Sequence, residues 1–329
     1  MQMVDEQQKR WQQVQADLSA LREEIARTIV DQRPVVEELL TGVLCNGHCL
    51  MVGVPGLAKT LLVSTLARAL GLSFNRIQFT PDLMPADIIG SELLQQSPDG
   101  ARLMQFAPGP VFANLILADE INRTPPKTQS ALLEAMQEKQ VTVAGESRPL
   151  PAPFLVFATQ NPIEHEGTYP LPEAQLDRFF FNIVINYPGR EQEREIVLRT
   201  TSGAKTEAKP VLDASAVSRM QAAILEIPVP AHVLDAILAI TAASRPGTED
   251  SDEFVRKYVE WGAGPRASQA LTLGAKAGAF LRGEPAAAID DVRRVAAPVL
   301  RHRILPSYNA TGEGVDVESI IAHLLDKHA

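Results

Sequence analysis

Short apolar runs alternate with helical patterns along the first 200 residues of the chain. Runs with the length of β-strands lie at residues 49–52, 74–80, 114–118, 154–158 and 180–185. Strands as apolar as these are typical of a parallel sheet whose two faces are both covered by helices. The pattern therefore predicts an α/β core that is built on a five-stranded parallel sheet.

Helical periodicity predicts the elements that surround this sheet. Residues 5–30 place apolar side chains at steps of three and four, which predicts an amphipathic helix. Packing on its own domain is favoured over a coiled coil, which the short length of the pattern still allows. Further helices are predicted at 34–44, 61–70 and 126–139. Alternating residues predict two hairpins, one over 140–150 and another over 89–106 that turns at 97–100.

The strand pattern ends before a polar segment without periodicity, TTSGAKTEAKP at 200–210. We interpret residues 201–212 as a linker that separates a first domain, 1–200, from a second domain, 213–329. Alanine-rich helical patterns in the second domain predict helices at 215–226, 231–244, 265–281, 288–301 and 317–325. The second domain is therefore expected to be smaller and all-helical.

Composition narrows the class of protein. The formal net charge of −9 and the pI near 5.3 argue against a general nucleic-acid-binding protein. No apolar run reaches 18 residues, so no membrane span is expected, and the N-terminus lacks the apolar segment of a signal peptide. Cys45 and Cys49 have too few neighbouring ligands for a metal site, so we expect free thiols in a reducing cytoplasm.

The first candidate for chemistry links the strand at 49–52 to the helix at 61–70. It has the pattern of a phosphate-binding P-loop, and its residues are Gly53, Val54, Pro55, Gly56, Leu57, Ala58, Lys59 and Thr60. Backbone N–H groups would bind phosphate, Lys59 would contact the terminal phosphates of a nucleotide, and Thr60 would bind Mg²⁺. Ala58 replaces the usual second glycine, which is harmless in a helical conformation and strained at positive φ. A turn into an ordinary helix is the simpler alternative.

Polar side chains follow two of the predicted strands. After the strand at 114–118, Asp119 would hold the water shell of Mg²⁺, and Glu120 would act as general base on the attacking water. Solvated acids at a strand end are the alternative, but the P-loop independently predicts the same site. Asn161 follows the strand at 154–158 and is placed to orient the lytic water, although Asn-Pro is also a common turn signal.

Two arginines are candidates for contact with phosphate. Arg178 either pairs with Asp177 at the surface or serves as an arginine finger that is supplied to another subunit. Arg266 lies in the first turn of the helix at 265–281, where a cation opposes the helix dipole. A nucleotide phosphate contacted from the second domain would resolve that local misfit.

Four stretches give the chain a resemblance to the MoxR family of AAA+ ATPases. They follow the order of that family, span both predicted domains and read GVPGLAKT (53–60), ADEINRTPPKTQSALLEAMQE (118–138), FATQNPIEHEGTYPLPEAQLDRF (157–179) and GAGPRA (262–267). Ala58 fits the family, whose P-loop commonly reads GxAKT. Gly264 departs from it, because similar proteins usually carry Ser at this position.

The resemblance implies an AAA+ core with strand order 5-1-4-3-2 and a C-terminal helical lid. The hairpins at 89–106 and 140–150 would be the helix-2 and pre-sensor inserts of the family's clade, and Arg123 would be a further candidate for contact with a neighbouring subunit. The implied roles are Walker A for Lys59 and Thr60, Walker B for Asp119 and Glu120, sensor 1 for Asn161, an arginine finger in trans for Arg178, and sensor 2 for Arg266.

Function follows from the same resemblance as an expectation. Family members are similar to chaperone-like remodelling ATPases, usually form hexameric rings and often act with von Willebrand A-domain proteins. The leading hypothesis is therefore an oligomeric ATPase that uses ATP and Mg²⁺, moves its lid against its core and remodels partner proteins. A slowly hydrolysing nucleotide switch is the second hypothesis, and a DNA-linked motor, which the acidic composition disfavours, is the third.

Overall fold

The computed structural model describes residues 2–30, 32–96, 102–163, 167–201 and 207–329, with side chains from Trp11 onward. Its strands are β1 (Cys49–Val52), β2 (Phe74–Gln78), β3 (Gly90–Gln96), β4 (Arg102–Pro108), β5 (Leu115–Asp119), β6 (Gln140–Val143), β7 (Glu146–Pro149), β8 (Leu155–Gln160), β9 (Phe181–Val184), β10 (Val259–Trp261) and β11 (Leu305–Pro306).

The helices surround the strands and make up most of the second half of the chain. They are α1 (Gln2–Thr28), α2 (Arg33–Leu44), α3 (Lys59–Ala69), α4 (Pro85–Ile89), α5 (Pro126–Glu138), α6 (Glu173–Leu176), α7 (Arg190–Thr201), α8 (Ala214–Glu226), α9 (Ala231–Ala243), α10 (Glu253–Tyr258), α11 (Pro265–Arg282), α12 (Ile289–Leu300), α13 (Tyr308–Glu313) and α14 (Val317–His328).

Five of the strands form one parallel sheet in the order β2-β5-β8-β1-β9. Counted in chain order among themselves, they are the second, third, fourth, first and fifth strands, so the expected order 5-1-4-3-2 is confirmed. β1 lies between β8 and β9, and β5 lies between β2 and β8. The carboxyl ends of all five strands therefore meet at one edge of the sheet, where the P-loop lies beside the residues that follow β5 and β8.

Alternate residues of the sheet strands supply two buried apolar layers. On β5, Leu115 and Leu117 belong to one layer, and Ile116 and Ala118 belong to the other. The first layer continues through α2 and α3 into buried residues of α9, α11 and α12, whereas the second packs under α5. The sheet is thus covered on both faces, as its apolar strands predict.

Both predicted hairpins are present. β3 pairs with β4, and β6 pairs with β7, each in an antiparallel register. The predicted turn at 97–100 lies outside the described residues. The guanidinium carbon of Arg148 on β7 lies 4.0 Å from the ring centroid of Phe106 on β4, so the two hairpins contact each other.

Hydrophobic periodicity does not reveal α4, α7, α10, α13 or the strand pair β10–β11. α7 has no buried residue and therefore lacks the apolar stripe by which a helix is recognised. The other three helices have five or six residues each, which is too short for a periodic pattern. α7 extends to Thr201, and residues 207–212 form no helix or strand, so we keep the linker at 201–212 as a proposal.

The N-terminal helix α1 packs within the chain but contacts both predicted domains. Leu21 and Ile25 belong to the apolar layer shared by α2 and α3. The ring of Trp11 meets Phe280 of α11 edge-on, with centroids 5.2 Å apart, and Gln15 Nε2 donates to Phe280 O at 2.8 Å. α1 therefore ties the α/β core to the helical lid.

The end of α12 anchors the lid to the segment before β9. The buried Arg303 guanidinium donates to the carbonyl oxygens of Asp177, Phe179 and Phe180, and its Nε donates to the Asp177 carboxylate at 2.9 Å. Burial lowers the pKa of Arg303, while the hydrogen bond and charge of Asp177 oppose that shift. The lid is therefore held at the amino end of β9.

The length and hydropathy of the described helices can be compared with those of a membrane-spanning helix. No single one of these helices is long and apolar enough to cross a membrane. α8 and α9 reach that length and hydropathy only when taken together, and they are bent by 95°.

We predict that Arg303→Met destabilises the protein by about 2–4 kcal/mol, because the partly exposed Asp177 carboxylate and three carbonyl oxygens lose the hydrogen bonds of a buried guanidinium. Urea unfolding followed by tryptophan fluorescence measures this loss. Arg68→Met is the matched control, since its ion pair with Glu207 is exposed and contributes about 0–1 kcal/mol. Equal effects of the two substitutions would contradict an anchoring role for Arg303.

Candidate nucleotide-binding and hydrolysis site

The loop between β1 and α3 has a backbone that curves around an open space. A Cβ at Gly53 would lie 2.8 Å from Ile185 O, so glycine is needed for this close approach. Gly56 has φ 86° and faces open space, and Ala58 has φ 55°. Ala58 immediately precedes α3 and is not part of the helix. Its left-handed backbone is the strained conformation that the sequence left open, at a cost of about 1–2 kcal/mol.

The same loop offers unpaired hydrogen-bond donors. Within the described residues, none of the backbone N–H groups of residues 56–60 donates a hydrogen bond. The Lys59 ammonium group turns back onto the loop, where it donates to Gly53 O and, at 3.1 Å, to Val54 O. N–H groups clustered at a helix N-terminus bind phosphate oxygens, so this cradle fits the phosphates of a nucleotide.

Lys59 connects the loop electrostatically with the end of β5. Partial burial lowers the pKa of Lys59, and the carboxylates of Asp119 and Glu120 oppose that shift. The lysine is thus close enough to both acids to interact with them. The structure brings the two predicted motifs into one site.

The carboxylate of Asp119 is buried, and both of its oxygens accept hydrogen bonds. Thr159 Oγ1 donates to Oδ1 at 2.6 Å, and Arg76 donates to Oδ2 from Nε at 2.9 Å and from Nη2 at 2.7 Å. Thr159 Oγ1 also accepts the backbone N–H of Glu120 at 2.8 Å. One hydroxyl on β8 therefore positions both acidic residues that end β5.

Glu120 has a left-handed backbone, with φ 58° and ψ 50°. Its Oε2 accepts from Gln78 Nε2 at 2.9 Å and lies 3.1 Å from Arg123 Nε. Residues other than glycine keep this conformation only where their surroundings enforce it, which is frequent at active sites. The strain and the two side-chain contacts together hold the carboxylate in one orientation. Arg123, the candidate for an intersubunit contact, thus pairs within its own chain.

Asn161 is buried directly after β8, between the ends of β1 and β5. Its Oδ1 accepts the backbone N–H of Ile163 at 3.2 Å, so the side chain stabilises the turn that Asn-Pro predicts. The turn uses the carbonyl oxygen alone. Among the residues that the structure describes, the amide group of Asn161 donates to no other group, which leaves it free to donate to a water at this edge of the sheet.

Three of the residues around the acids are not evident from the sequence motifs: Arg76, Gln78 and Thr159. Arg76 and Gln78 lie two apart on the edge strand β2, so their side chains share one face. Two long polar side chains on one face of a buried sheet indicate that the adjacent strand carries a polar group with which they form hydrogen bonds. Which partner they meet depends on the pairing of Gln78 with Asp119, and the sequence does not specify that register.

A cleft of about 680 Å³ opens between the end of α1, α2 and α7. Ile25, Ile29 and Val30 give it an apolar wall, and Gln192 lies opposite them on α7. The loop that leads to α7 approaches the P-loop through Ile185, but no residue of the P-loop lines the cleft. The size and mixed lining of the cleft are those of a small-molecule site.

Arg178 and Arg266 lie at the other end of the sheet. With residues 45–48, which precede β1, they line a cavity of about 310 Å³. The P-loop follows β1, and a four-residue strand is about 13 Å long. The structure therefore does not bring these two arginines to the P-loop of their own chain.

The two arginines differ in their partners. Asp177 pairs with Arg303 and, at 3.5 Å, with Arg266 Nη1. Asp177 is thus the anion that relieves the misfit of Arg266 at the start of α11. The exposed guanidinium of Arg178 has no ion-pair partner within the described parts of the chain, so the predicted surface pair with Asp177 is not formed.

Mg²⁺ and ATP fit the residues at the P-loop edge. The open donors of the loop match phosphate, and the Thr60 hydroxyl and the Asp119 carboxylate are oxygen ligands of the kind that Mg²⁺ prefers. The P-loop follows β1 and the paired acids end β5, with β8 between these two strands of the sheet. Together with the helical lid, this arrangement defines an ATPase of the AAA+ class.

Comparison with known proteins agrees with this assignment. Residues 48–181 match the ATPase family associated with various cellular activities (AAA), and residues 252–324 match the AAA lid domain. The chain is 45% identical to Chaperone MoxR1 of Mycobacterium tuberculosis, over 92% of this chain and 79% of that protein. It is 30% identical to Protein MoxR of Paracoccus denitrificans, over 87% and 88% of the two chains.

A solved structure supports the fold over the whole chain. A crystal structure from Cytophaga hutchinsonii superposes with a TM-score of 0.92 at 39% identity, covering 99% of this chain and 98% of the other. The chain belongs to the MoxR family of AAA+ ATPases. The family resemblance, the fold and the ATPase activity expected from the sequence are thereby confirmed.

We predict that Thr159→Val lowers the rate of ATP hydrolysis by about 10–100-fold, because Asp119 and the Glu120 backbone both lose their shared hydroxyl partner. Phosphate release at saturating ATP and Mg²⁺ measures the rate. Thr159→Ser keeps the hydroxyl and should retain most of the activity. A Val variant as active as the Ser variant would show that the hydroxyl does not matter.

Proposed function

We propose that this chain hydrolyses Mg-ATP at a site shared between two copies in a ring, most simply a hexamer, and uses hydrolysis to remodel partner proteins. The observation that carries the proposal is the separation of the candidate residues into two groups. One group lies at the carboxyl edge of the sheet with the P-loop, and the other, Arg178 and Arg266, lies beyond the amino end of β1.

The first group would carry out the chemistry. The cradle of residues 53–60 would bind the phosphates, and the ammonium of Lys59 would move from Gly53 O and Val54 O to the terminal phosphates. Thr60 and Asp119 would hold Mg²⁺, which neutralises charge that develops on the phosphate oxygens when it is bound. Glu120 would accept a proton from the attacking water, and Asn161 would orient that water.

The second group would act on a neighbouring copy. Arg178 is exposed, permanently charged and without an ion-pair partner in the described chain, which suits an arginine finger. Arg266 is also half exposed and contacts Asp177 only at 3.5 Å, so it is available as sensor 2 on the same surface. A head-to-tail contact that places this surface against the P-loop edge of the next copy generates a closed ring.

The remodelling role is supported by the printed name of a relative, Chaperone MoxR1. We propose a von Willebrand A-domain protein as the partner, following the family resemblance. The two free thiols, Cys45 and Cys49, support a reducing cytoplasm as its location. The acidic composition gives no support to nucleic acid as a partner.

We predict that Glu120→Gln retains ATP binding and lowers turnover at least about 100-fold, because the amide cannot accept the proton of the attacking water. Steady-state phosphate release and binding of a fluorescent ATP analogue measure the two properties. Glu134→Gln, at an exposed position on α5, is the matched control. Turnover at the wild-type level in Glu120→Gln would exclude Glu120 as the base.

The same variant tests the remodelling role, because it should remain in the ATP-bound form. We expect a purified von Willebrand A-domain protein from the same organism to bind Glu120→Gln in the presence of ATP, and to bind Lys59→Ala weakly. Equal binding to the two variants would contradict ATP-dependent partner engagement.

We predict that Arg178→Ala and Lys59→Ala are each inactive and regain activity when mixed. In a random equal mixture about a quarter of the interfaces pair an intact P-loop with an intact finger, so about a quarter of the wild-type rate is expected. Lys59→Ala mixed with Glu120→Gln is the control, since both defects lie on the same side of the site. Native mass spectrometry confirms that mixed rings form.

The same mixing experiment with Arg266→Ala in place of Arg178→Ala tests the proposed sensor 2. Recovery in a mixture with Lys59→Ala is expected if Arg266 acts on the neighbouring copy. Absence of recovery in confirmed mixed rings, for either arginine, would contradict a shared site for that residue.

A further inference from the structure

The ion pair between Arg76 and Asp119 connects the edge strand β2 with the proposed metal ligand. Nε and Nη2 of Arg76 both donate to the same oxygen, Oδ2, at 2.9 Å and 2.7 Å. The other oxygen accepts from Thr159 at 2.6 Å. A carboxylate oxygen has two lone pairs, so Arg76 uses the full hydrogen-bonding capacity of Oδ2.

This arrangement conflicts with the role that Asp119 has when Mg²⁺ is bound. A carboxylate that holds the metal or its water shell must direct a lone pair at the metal or at a bound water. The guanidinium of Arg76 occupies both lone pairs of Oδ2, so the metal or its water is left with only the lone pair of Oδ1 that Thr159 does not use. The guanidinium also places a positive charge next to a divalent cation. Both effects oppose metal binding. The repulsion between the two positive charges is screened less by solvent because Asp119 is buried.

Arg76 is able to leave this position. Its side chain is 47% exposed, whereas that of Asp119 is 11% exposed. β2 is the edge strand of the sheet, so no further strand of the described chain encloses the arginine on that side. Nη2 also donates to Gln78 Oε1, which gives the guanidinium a second partner on its own strand. Arg76 therefore differs from a buried structural arginine such as Arg303.

We propose that Arg76 is a positioning residue that holds Asp119 in the metal-free state and gives up Oδ2 when Mg²⁺ arrives with the nucleotide. The arginine thereby raises the Mg²⁺ concentration at which the site is loaded. This inference rests on the proposed ATPase site. It concerns how the metal is admitted rather than how ATP is hydrolysed.

Binding of fluorescent ADP to the full-length protein at increasing Mg²⁺ tests the proposal without hydrolysis. We expect Arg76→Gln to lower the half-saturating Mg²⁺ concentration about tenfold, since the competing charge is removed. Arg76→Lys keeps the charge with fewer donors on Oδ2 and should lie between Arg76→Gln and the wild type. Arg68→Gln is the matched control, because that arginine is 53% exposed, pairs with Glu207 and should leave the Mg²⁺ requirement unchanged.

The direction of the change distinguishes competition from support. If Arg76 only held Asp119 in its metal-binding orientation, Arg76→Gln would need more Mg²⁺, and an increased or unchanged requirement overturns the proposal. The affinity for ADP in EDTA reports whether each variant is folded. If Arg76→Gln does not fold, the Mg²⁺ requirement of Arg76→Lys is compared with that of the wild type instead. A wild type that binds no nucleotide overturns the proposed function itself, whereas an unchanged Mg²⁺ requirement with intact ADP binding overturns this inference alone.

Discussion

The buried guanidinium of Arg303 determines where the helical lid lies relative to the sheet. Its bonds to the carboxylate and carbonyl oxygen of Asp177 hold the end of α12 at the amino end of β9. Asp177 also pairs with Arg266 of α11. Asp177 immediately precedes Arg178 in the chain, so the two arginines lie close to each other. Both arginines are thus kept on the surface opposite to the P-loop edge. In the proposed function, the set of residues for phosphate chemistry would therefore be completed by a second copy of the chain.

At the P-loop edge, the order of the strands determines which side chains reach the two acidic residues. β5 and β8 are adjacent, so the hydroxyl of Thr159 reaches both Asp119 and the backbone of Glu120. β2 lies on the other side of β5, so Arg76 reaches Asp119 from there. The acid that would bind Mg²⁺ is held from both neighbouring strands. Left-handed backbones at Ala58 and Glu120 show that local strain accompanies this arrangement.

The sequence predicts much of this architecture because its signals are local. Apolar strands, the alternation around Gly145 and the P-loop pattern depend on residues that are close in the chain. The helix α7 is not predicted, because it has no buried residue and therefore no apolar periodicity. The partners of Arg76 and Arg266 are not predicted either, because each pair joins segments that are distant in the chain. The sequence shows that Arg266 needs an anion, but only the packing of α11 shows that Asp177 supplies one.

The contacts between lid and core also restrict the motion that ATP hydrolysis can drive. Moving the lid away from β9 within one chain would strip the buried Arg303 of its partners and separate Arg301 from Asn182 O. It would also pull α11 from α1, which contacts both domains. In the proposed ring, moving one lid–core unit against the next would leave these contacts intact and would change the distance from Arg178 and Arg266 to a neighbouring phosphate. For such a ring, the packing favours rigid-body motion between copies over the hinge within one chain that the family resemblance implies.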